Sequence, residues 1–159
     1  MISSIGLGGG CHWCTEAVFE HIIGISNVLQ GWIKSEPPYD TLSEAVIVEY
    51  DEKMIGLETL IQIHLMTHAS TSNHSMRDKY RSAIYFFDAK QKNKILDILK
   101  KEQEAIDETY VTMVLPYVDF KLNSEEFLHY YQTRPEAPFC QAHIKPKLQK
   151  IMKYSRYVR

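Results

Sequence analysis

Two cysteines three residues apart, Cys11 and Cys14, follow a run of three glycines near the start of the chain. Residues 2–7 are typical of a short buried strand, and apolar residues recur near helical spacing from Thr15 onward. Cys11 is therefore predicted at a helix N-terminus, where free backbone N–H groups and the helix dipole stabilise a thiolate. A thiolate of lowered pKa is a nucleophile at neutral pH, so this stretch predicts redox or metal chemistry of the two sulfurs.

The composition of the 159-residue chain is that of an ordinary soluble protein, with 45% hydrophobic and 24% charged residues. Its net charge of −2 argues against nucleic acid as a partner, because a nucleic-acid-binding protein should carry a basic face. No stretch approaches a transmembrane run, and the N-terminus lacks the features of a signal peptide, so no membrane partner is expected. Three cysteines make a poor disulfide framework for a secreted domain. We therefore expect a reducing, cytoplasmic setting.

The order of predicted elements is that of one α+β domain covering residues 1–159. Five strands are predicted, at residues 2–7, 26–33, 45–50, 82–87 and 110–118. Four helices are predicted, beginning near residues 15, 57, 89 and 124. Asp88 is expected to cap the third helix, and Pro116 favours an edge position for the last strand. Residues 69–79 are predicted to form a polar loop, and residues 135–159, which carry Cys140, a mostly irregular tail.

Four motifs stand in a fixed order along the chain, and they carry a family resemblance. They are residues 10–16 (G-C-H-W-C-T-E), 43–46 (S-E-A-V), 79–85 (K-Y-R-S-A-I-Y) and 135–140 (P-E-A-P-F-C). Together they resemble the A-type peptide methionine sulfoxide reductases, whose motifs are G-C-F-W-x-x-E, H-A-E-A-V, Q-Y-R-S-A-I-Y and N-P-x-G-Y-C. The likeness covers about residues 5–140 and implies a two-layer α/β sandwich with a ferredoxin-like fold.

The resemblance implies a reaction, the reduction of methionine sulfoxide to methionine, with the substrate free or within an oxidised protein or peptide. Cys11 would attack the sulfur as a thiolate, and Glu44 would be the general acid that protonates the oxygen. Tyr39 and Tyr80 would donate hydrogen bonds to that oxygen. Tyr39 is the only candidate for the tyrosine of a family segment that is shortened here.

The predicted substrate pocket is where the chain departs from the family motifs. Trp13 would form its apolar wall together with His12, which stands where the family has another aromatic residue. Ser75 replaces an aspartate and Arg77 replaces a glycine in the loop along which a peptide would pass. We expect these departures to change substrate preference more than the reaction itself.

The attack would leave a sulfenic acid on Cys11, which condenses with a second thiol to form a disulfide. Cys14 lies one helical turn away, so we expect it to react first, with Cys140 then exchanging onto Cys14. The family likeness favours Cys140 instead as the first thiol to react. Residues 135–140 resemble a tail that carries the resolving cysteine in many members of the family. An outside dithiol reductant, thioredoxin in the family, would reset the enzyme, and no metal, nucleotide or flavin would be needed.

Two functions of other classes remain open. One is a structural zinc module, because the spacings are compatible with a closed site of three cysteines and a histidine: Cys11, Cys14, Cys140 and His143. The other is a thioredoxin-like disulfide oxidoreductase that uses the C-x-x-C pair. A second pair of potential ligands, His64 and His68, lies on an apolar helical face, and we expect these side chains to be packed and hydrogen-bonded instead.

Overall fold

A computed structural model describes residues 2–159, and within this range the strands form one six-stranded sheet. The strands are β1 Ile2–Gly8, β2 Ile25–Lys34, β3 Ser43–Asp51, β4 Ala83–Phe86, β5 Met113–Pro116 and β6 Asp119–Leu122. They lie side by side in the order β5-β4-β1-β3-β2-β6. Neighbouring strands are antiparallel except for β4 and β5, which are parallel.

The α-helices of the described range are α1 His12–Glu20, α2 Leu57–Met66, α3 Ala89–Glu104, α4 Tyr130–Thr133 and α5 Lys145–Lys150. Apolar residues of α1, α2 and α3 share one core with one face of the sheet. Val46 and Val48 of β3 point into this core, whereas Ala45 belongs to a smaller cluster on the opposite face. The predicted two-layer α/β architecture is therefore confirmed.

The four central strands follow the connection βαββαβ, with α1 after β1 and α2 after β3. The outer strands β5 and β6 lie at opposite edges of the sheet, yet only Tyr117 and Val118 separate them. Two residues span no more than about 10 Å, so the sheet must curl until its edges approach each other. The backbone N–H of Val118 donates to the carbonyl of Lys34 over 3.2 Å at this junction. The ferredoxin-like name stays a prediction.

Several predicted elements agree with the structure. Asp88 caps α3 by accepting a hydrogen bond from the backbone N–H of Gln91 over 2.7 Å. Pro116 lies in the edge strand β5, where its missing N–H costs no ladder hydrogen bond. The strand predicted at residues 110–118 is shorter than expected, because the chain leaves one edge of the sheet after Pro116 and joins the other as β6.

The tail at residues 135–159 is a correction, because it is largely helical where we predicted an irregular segment. A π-helical turn at Cys140–Ile144 leads into α5, and a 3-10 helix follows at Ile151–Tyr157. Pro146 suggested a break, but it lies in the first turn of α5, where a missing N–H is tolerated. The helix predicted from residue 124 is also interrupted, since His129 adopts a left-handed φ of 55° before α4.

None of the helices in residues 2–159 has the length and apolar character that crossing a membrane requires.

Candidate active site

Cys11 is the N-cap of α1, as the sequence predicts, and its side chain is partly exposed. Its carbonyl accepts hydrogen bonds from the backbone N–H groups of Cys14 and Thr15 over 3.1 and 3.2 Å. A hydrogen bond from the Cys14 side chain is the largest cause that lowers the pKa of Cys11, and backbone N–H groups lower it further. Burial and the nearby Glu44 oppose this shift without reversing it. Cys11 is thus prepared to be a thiolate in a site that a substrate can reach.

The glycine loop that precedes Cys11 rests on two histidines of the α2 region. Nε2 of His64 bonds to the carbonyl of Gly8 over 2.8 Å, and Nε2 of His68 lies 2.8 Å from the hydroxyl of Ser82. A Cβ on Gly9 would come within 2.3 Å of the His68 ring, so this position requires glycine. Burial lowers the pKa of both histidines, that of His68 to about 4. The prediction of a packed, hydrogen-bonded pair is confirmed.

Glu44 lies at the start of β3 and is only 6% exposed. Its Oε1 accepts a hydrogen bond of 3.1 Å from the backbone N–H of His12, in the first turn of α1. Its Oε2 lies 3.5 Å from the ammonium of Lys79. A carboxyl group therefore stands beside the helix N-terminus that carries Cys11, as a general acid for that cysteine's substrate must.

His12 is a polar, buried part of the site, and this corrects the expectation that it forms an apolar wall. Its Nδ1 donates to the carbonyl of Gly31 over 2.7 Å, and its Nε2 lies 3.4 Å from Oε1 of Glu44. The amide of Asn123 lies 3.4 Å from the same Nε2. Burial is the main cause that lowers the pKa of His12, so the ring is neutral at pH 7. Its unprotonated Nε2 then faces the carboxyl group.

Trp13, two residues after Cys11, packs in a cluster of aromatic rings. Its ring stacks on Tyr130 with centroids 4.1 Å apart and an interplanar angle of 6°. Phe127 stacks at 5.8 Å, and Phe139 packs edge-on at 5.3 Å. The covering rings come from α4 and from the segments on both sides of it. That Trp13 forms a wall of the substrate pocket stays a prediction.

The three cysteines are free thiols of one apolar cluster, although Cys140 is remote from the others in sequence. Cys14 and Cys140 are buried together with Ala17 and Ile144, and Cys11 packs against this group. Cys14 stays protonated, because its hydrogen bond to Cys11 and its burial raise its pKa. Burial also raises the pKa of Cys140. Cys14 and Cys140 are thus neutral thiols that pack beside Cys11, the cysteine whose pKa is lowered.

The side chains that could form a zinc site according to the sequence do not lie together in the structure. Among residues 2–159 the one set of at least three potential ligands whose donor atoms converge is Glu16, Glu20 and His129, which includes no cysteine. His143 is exposed, and its ring packs against Phe139. The predicted zinc set of three cysteines and His143 therefore does not come together.

A family model described as peptide methionine sulfoxide reductase matches residues 3–158. This chain belongs to that family. The peptide methionine sulfoxide reductase MsrA 1 of Rhodopirellula baltica is 34% identical, over 91% of this chain and 83% of that protein. The MsrA of Campylobacter jejuni strain RM1221 is 32% identical, over 94% of this chain and 98% of that protein.

Solved structures share the fold of this reductase. Mxr1 from Saccharomyces cerevisiae in reduced form has a TM-score of 0.74 at 22% identity, covering 89% of this chain and 91% of its own. Methionine sulfoxide reductase A of Corynebacterium diphtheriae has a TM-score of 0.70 at 21% identity, covering 86% of this chain and 76% of its own.

The remaining residues that the family resemblance implied do not all reach the site of this reductase. Tyr80 lies beside it, because the ammonium of Lys79 is 5.1 Å from the centre of the Tyr80 ring and 3.5 Å from Oε2 of Glu44. Tyr39 packs against the cluster that includes Ala45, on the sheet face opposite the α1 core, so it lies away from the face that carries Glu44. Ser75 is exposed within a turn, and no hydrogen bond or ion pair in the described range joins it to Cys11 or Glu44.

Glu16 has a role in this reductase that the sequence did not reveal. It is 1% exposed, and its carboxylate accepts hydrogen bonds from Gln30 Nε2 (2.8 Å) and from the backbone N–H groups of His129 (2.8 Å) and Tyr130 (3.1 Å). These bonds place the Tyr130 ring on Trp13. The available signals were the place of Glu16 in the first motif and Gln30, a fully buried polar residue of β2.

Proposed function

We propose that this chain is a thiol-dependent methionine sulfoxide reductase that uses Cys11 as its nucleophile. The observation that carries the proposal is the position of Cys11 at the N-terminus of α1, with its pKa lowered and the Glu44 carboxyl beside it. The matched family and the curated relatives support this reaction over the zinc module and the thioredoxin-like oxidoreductase.

The first half-reaction transfers the sulfoxide oxygen to Cys11. The thiolate attacks the sulfur and forms an S–S bond while Glu44 donates its proton to the oxygen. The resulting hydroxyl group then moves to the Cys11 sulfur, as the S–O bond of the substrate and the new S–S bond break. The products are methionine and a sulfenic acid on Cys11, so the sulfur of the substrate is reduced by two electrons and that of Cys11 is oxidised by two. Trp13 and its aromatic neighbours would hold the S-methyl group, and Tyr80 would donate a hydrogen bond to the oxygen.

His12 positions Glu44 through two contacts. Its backbone N–H donates to Oε1 of Glu44 over 3.1 Å, and its Nε2 lies 3.4 Å from the same oxygen. The carboxyl group is thereby held beside Cys11, where it can act on the substrate oxygen.

The second half-reaction returns Cys11 to the thiol. The thiol of Cys14, already hydrogen-bonded to Cys11, attacks the sulfenic sulfur, releasing water and forming a Cys11–Cys14 disulfide. Cys140, in the same cluster, then exchanges onto Cys14. This order stays a proposal.

An external dithiol would complete the cycle by reducing the disulfide of this chain and becoming a disulfide itself. Mxr1, which shares this fold at 21% identity, has been solved in complex with Trx2. We propose thioredoxin or a similar dithiol as the reductant here, and three free thiols fit a reducing compartment such as the cytoplasm.

The experiment that tests this function is a dithiothreitol-driven assay of methionine formation from the two separated sulfoxide epimers. Each epimer is offered as the free amino acid and within a peptide. By family likeness we expect reduction of the S epimer at sulfur and none of the R epimer. No methionine from either epimer would contradict the proposed function, and tightly bound zinc in such an inactive protein would support the structural module.

A further inference from the structure

Lys79 is held beside the proposed general acid by its backbone. Its carbonyl accepts hydrogen bonds from the backbone N–H of Glu44 and from the hydroxyl of Ser43, both at 2.9 Å. Its ammonium lies 3.5 Å from Oε2 of Glu44, yet 55% of its side chain is exposed, against 8% for that of Glu44. A cation open to solvent thus stands at the entrance to a nearly buried carboxyl group.

Lys79 keeps its positive charge at neutral pH. Its ammonium lies 5.1 Å above the ring of Tyr80. The hydrogen bond to Tyr80, with further attraction from Tyr80 and Glu44, raises the pKa of Lys79, so it stays protonated at neutral pH. Glu44 is the one carboxylate in an ion pair with Lys79 within residues 2–159.

The Lys79 ammonium can bind a second anion besides Glu44. It has three N–H donors, lies 3.5 Å from Oε2 of Glu44 and belongs to a side chain that is 55% exposed, so a negative group on the substrate can reach it. In the proposed reaction Glu44 holds its proton until it passes it to the sulfoxide oxygen, and in that form Glu44 does not neutralise the ammonium. The sulfoxide sulfur must lie near Cys11 and its oxygen near Glu44, so any such group has to lie close to the sulfur.

A second cation, Lys121, lies on the sheet face of Glu44, two strands away. Trp32 pairs with Glu44 across β2 and β3 and with Lys121 across β2 and β6. The ammonium of Lys121 lies 5.9 Å from the centre of the Trp32 ring, which in turn packs edge-on to His12. A second positive charge therefore lies on the sheet face that carries Glu44, beyond Trp32, and adds to the long-range attraction for an anion.

We propose that Lys79 is a specificity-determining residue that binds a carboxylate of the substrate, so that this chain favours methionine sulfoxide with a free α-carboxylate. That carboxylate carbon lies roughly 5 Å from the sulfur by ordinary bond lengths, within reach of a flexible lysine. Free methionine sulfoxide and a C-terminal residue carry it, whereas a residue inside a peptide has a neutral amide there. The inference rests on the proposed function.

The test compares N-acetyl-methionine S-sulfoxide with its neutral N-methylamide, which differ at the carboxylate. The parent is expected to favour the carboxylate in kcat/KM by about two- to fivefold, the range of an exposed ion pair. Lys79→Gln should bring this ratio close to one, and added salt should do the same in the parent. Lys101→Gln is the matched control, because it breaks another exposed Lys–Glu pair, with Glu58 at 3.0 Å, and should leave the ratio unchanged.

The ratio of kcat/KM for the two substrates distinguishes a role of Lys79 in substrate specificity from a role in the reaction itself. If Lys79→Gln slows both substrates equally and keeps the parent ratio, Lys79 acts only through Glu44 and the inference is overturned. A parent ratio of one would overturn it as well. No turnover of either substrate by the parent would instead contradict the proposed function, on which the inference depends.

Discussion

The backbone N–H of His12 donates a hydrogen bond of 3.1 Å to Oε1 of Glu44. This bond joins the first turn of α1 to the start of β3, two elements that are distant in the chain. Because Cys11 is the N-cap of the same helix, the bond also fixes the acid relative to the nucleophile. The N-terminus of α1 thus organises both groups, lowering the pKa of the thiol and holding the carboxyl.

Cys14→Ala should make Cys11 less acidic, because the hydrogen bond from Cys14 is the largest cause that lowers the pKa of Cys11. Only the thiolate reacts with iodoacetamide, so the rate of alkylation rises as pH passes the pKa. We expect the midpoint of this rise to move to higher pH in the variant. Cys140→Ala is the control, since Cys140 is not among the causes of the shift. An unmoved midpoint in Cys14→Ala would show that Cys14 does not activate Cys11.

Glu44→Gln should lower turnover about a hundredfold, the usual contribution of a positioned proton donor. The amide oxygen of glutamine can still accept the N–H of His12, so the fold and the alkylation of Cys11 should be preserved. Steady-state assays with dithiothreitol measure the loss, and Glu58→Gln, at an exposed ion pair on α2, serves as control. Turnover within about threefold of the parent would rule out Glu44 as the acid.

His12→Phe tests whether this position is an apolar wall or a polar support. The substitution leaves the carbonyl of Gly31 without its hydrogen bond, at a cost of about 1–3 kcal/mol in the free energy of unfolding. Turnover should also fall, because Glu44 loses the nitrogen that faces it. Urea unfolding and steady-state kinetics measure the two effects. A variant of parental stability with a lower KM would instead favour the apolar wall.

Cys140→Ser tests which thiol, that of Cys14 or that of Cys140, reacts first with the sulfenic acid on Cys11. After one turnover with excess sulfoxide and no reductant, this variant should still contain a Cys11–Cys14 disulfide, formed at nearly the parental rate. Its recycling by thioredoxin should be slow, because the exchange onto Cys14 is missing. Digestion and mass mapping identify the disulfide. If Cys14→Ser closes Cys11 to Cys140 at full rate and cycles normally, Cys14 is a packing residue.

Local patterns in the sequence were sufficient for the features that depend on neighbouring residues. The glycine run and the helical spacing after it placed Cys11 at the N-terminus of α1, and Asp88 was recognisable as a cap. Residues 45–50 were recognisable as a buried strand because β-branched residues dominate there. Each of these inferences uses contacts within a few residues.

Features that depend on the curled sheet were not predictable in the same way. Tyr39 is close to Glu44 in sequence, but side chains alternate between the two faces along β3, and Tyr39 packs against the cluster on the face of Ala45. The hydrogen bonds of Glu16 reach His129 and Tyr130, more than a hundred residues later. In the sequence, Lys79 was only the first residue of the motif at residues 79–85. The role that we propose for it depends on the distance between its ammonium and Glu44, which only the structure provides.

The central claim, that the Cys11 thiolate takes the oxygen, is tested most directly in the double variant Cys14→Ser/Cys140→Ser. Mixed once with excess S-sulfoxide and no reductant, it should release one methionine per chain. Its Cys11 peptide should gain the mass of one oxygen atom and react with a sulfenic-acid probe such as dimedone. The same experiment on Cys11→Ser should yield no methionine. Methionine released by Cys11→Ser, or a double variant that releases it without modifying Cys11, would contradict the account.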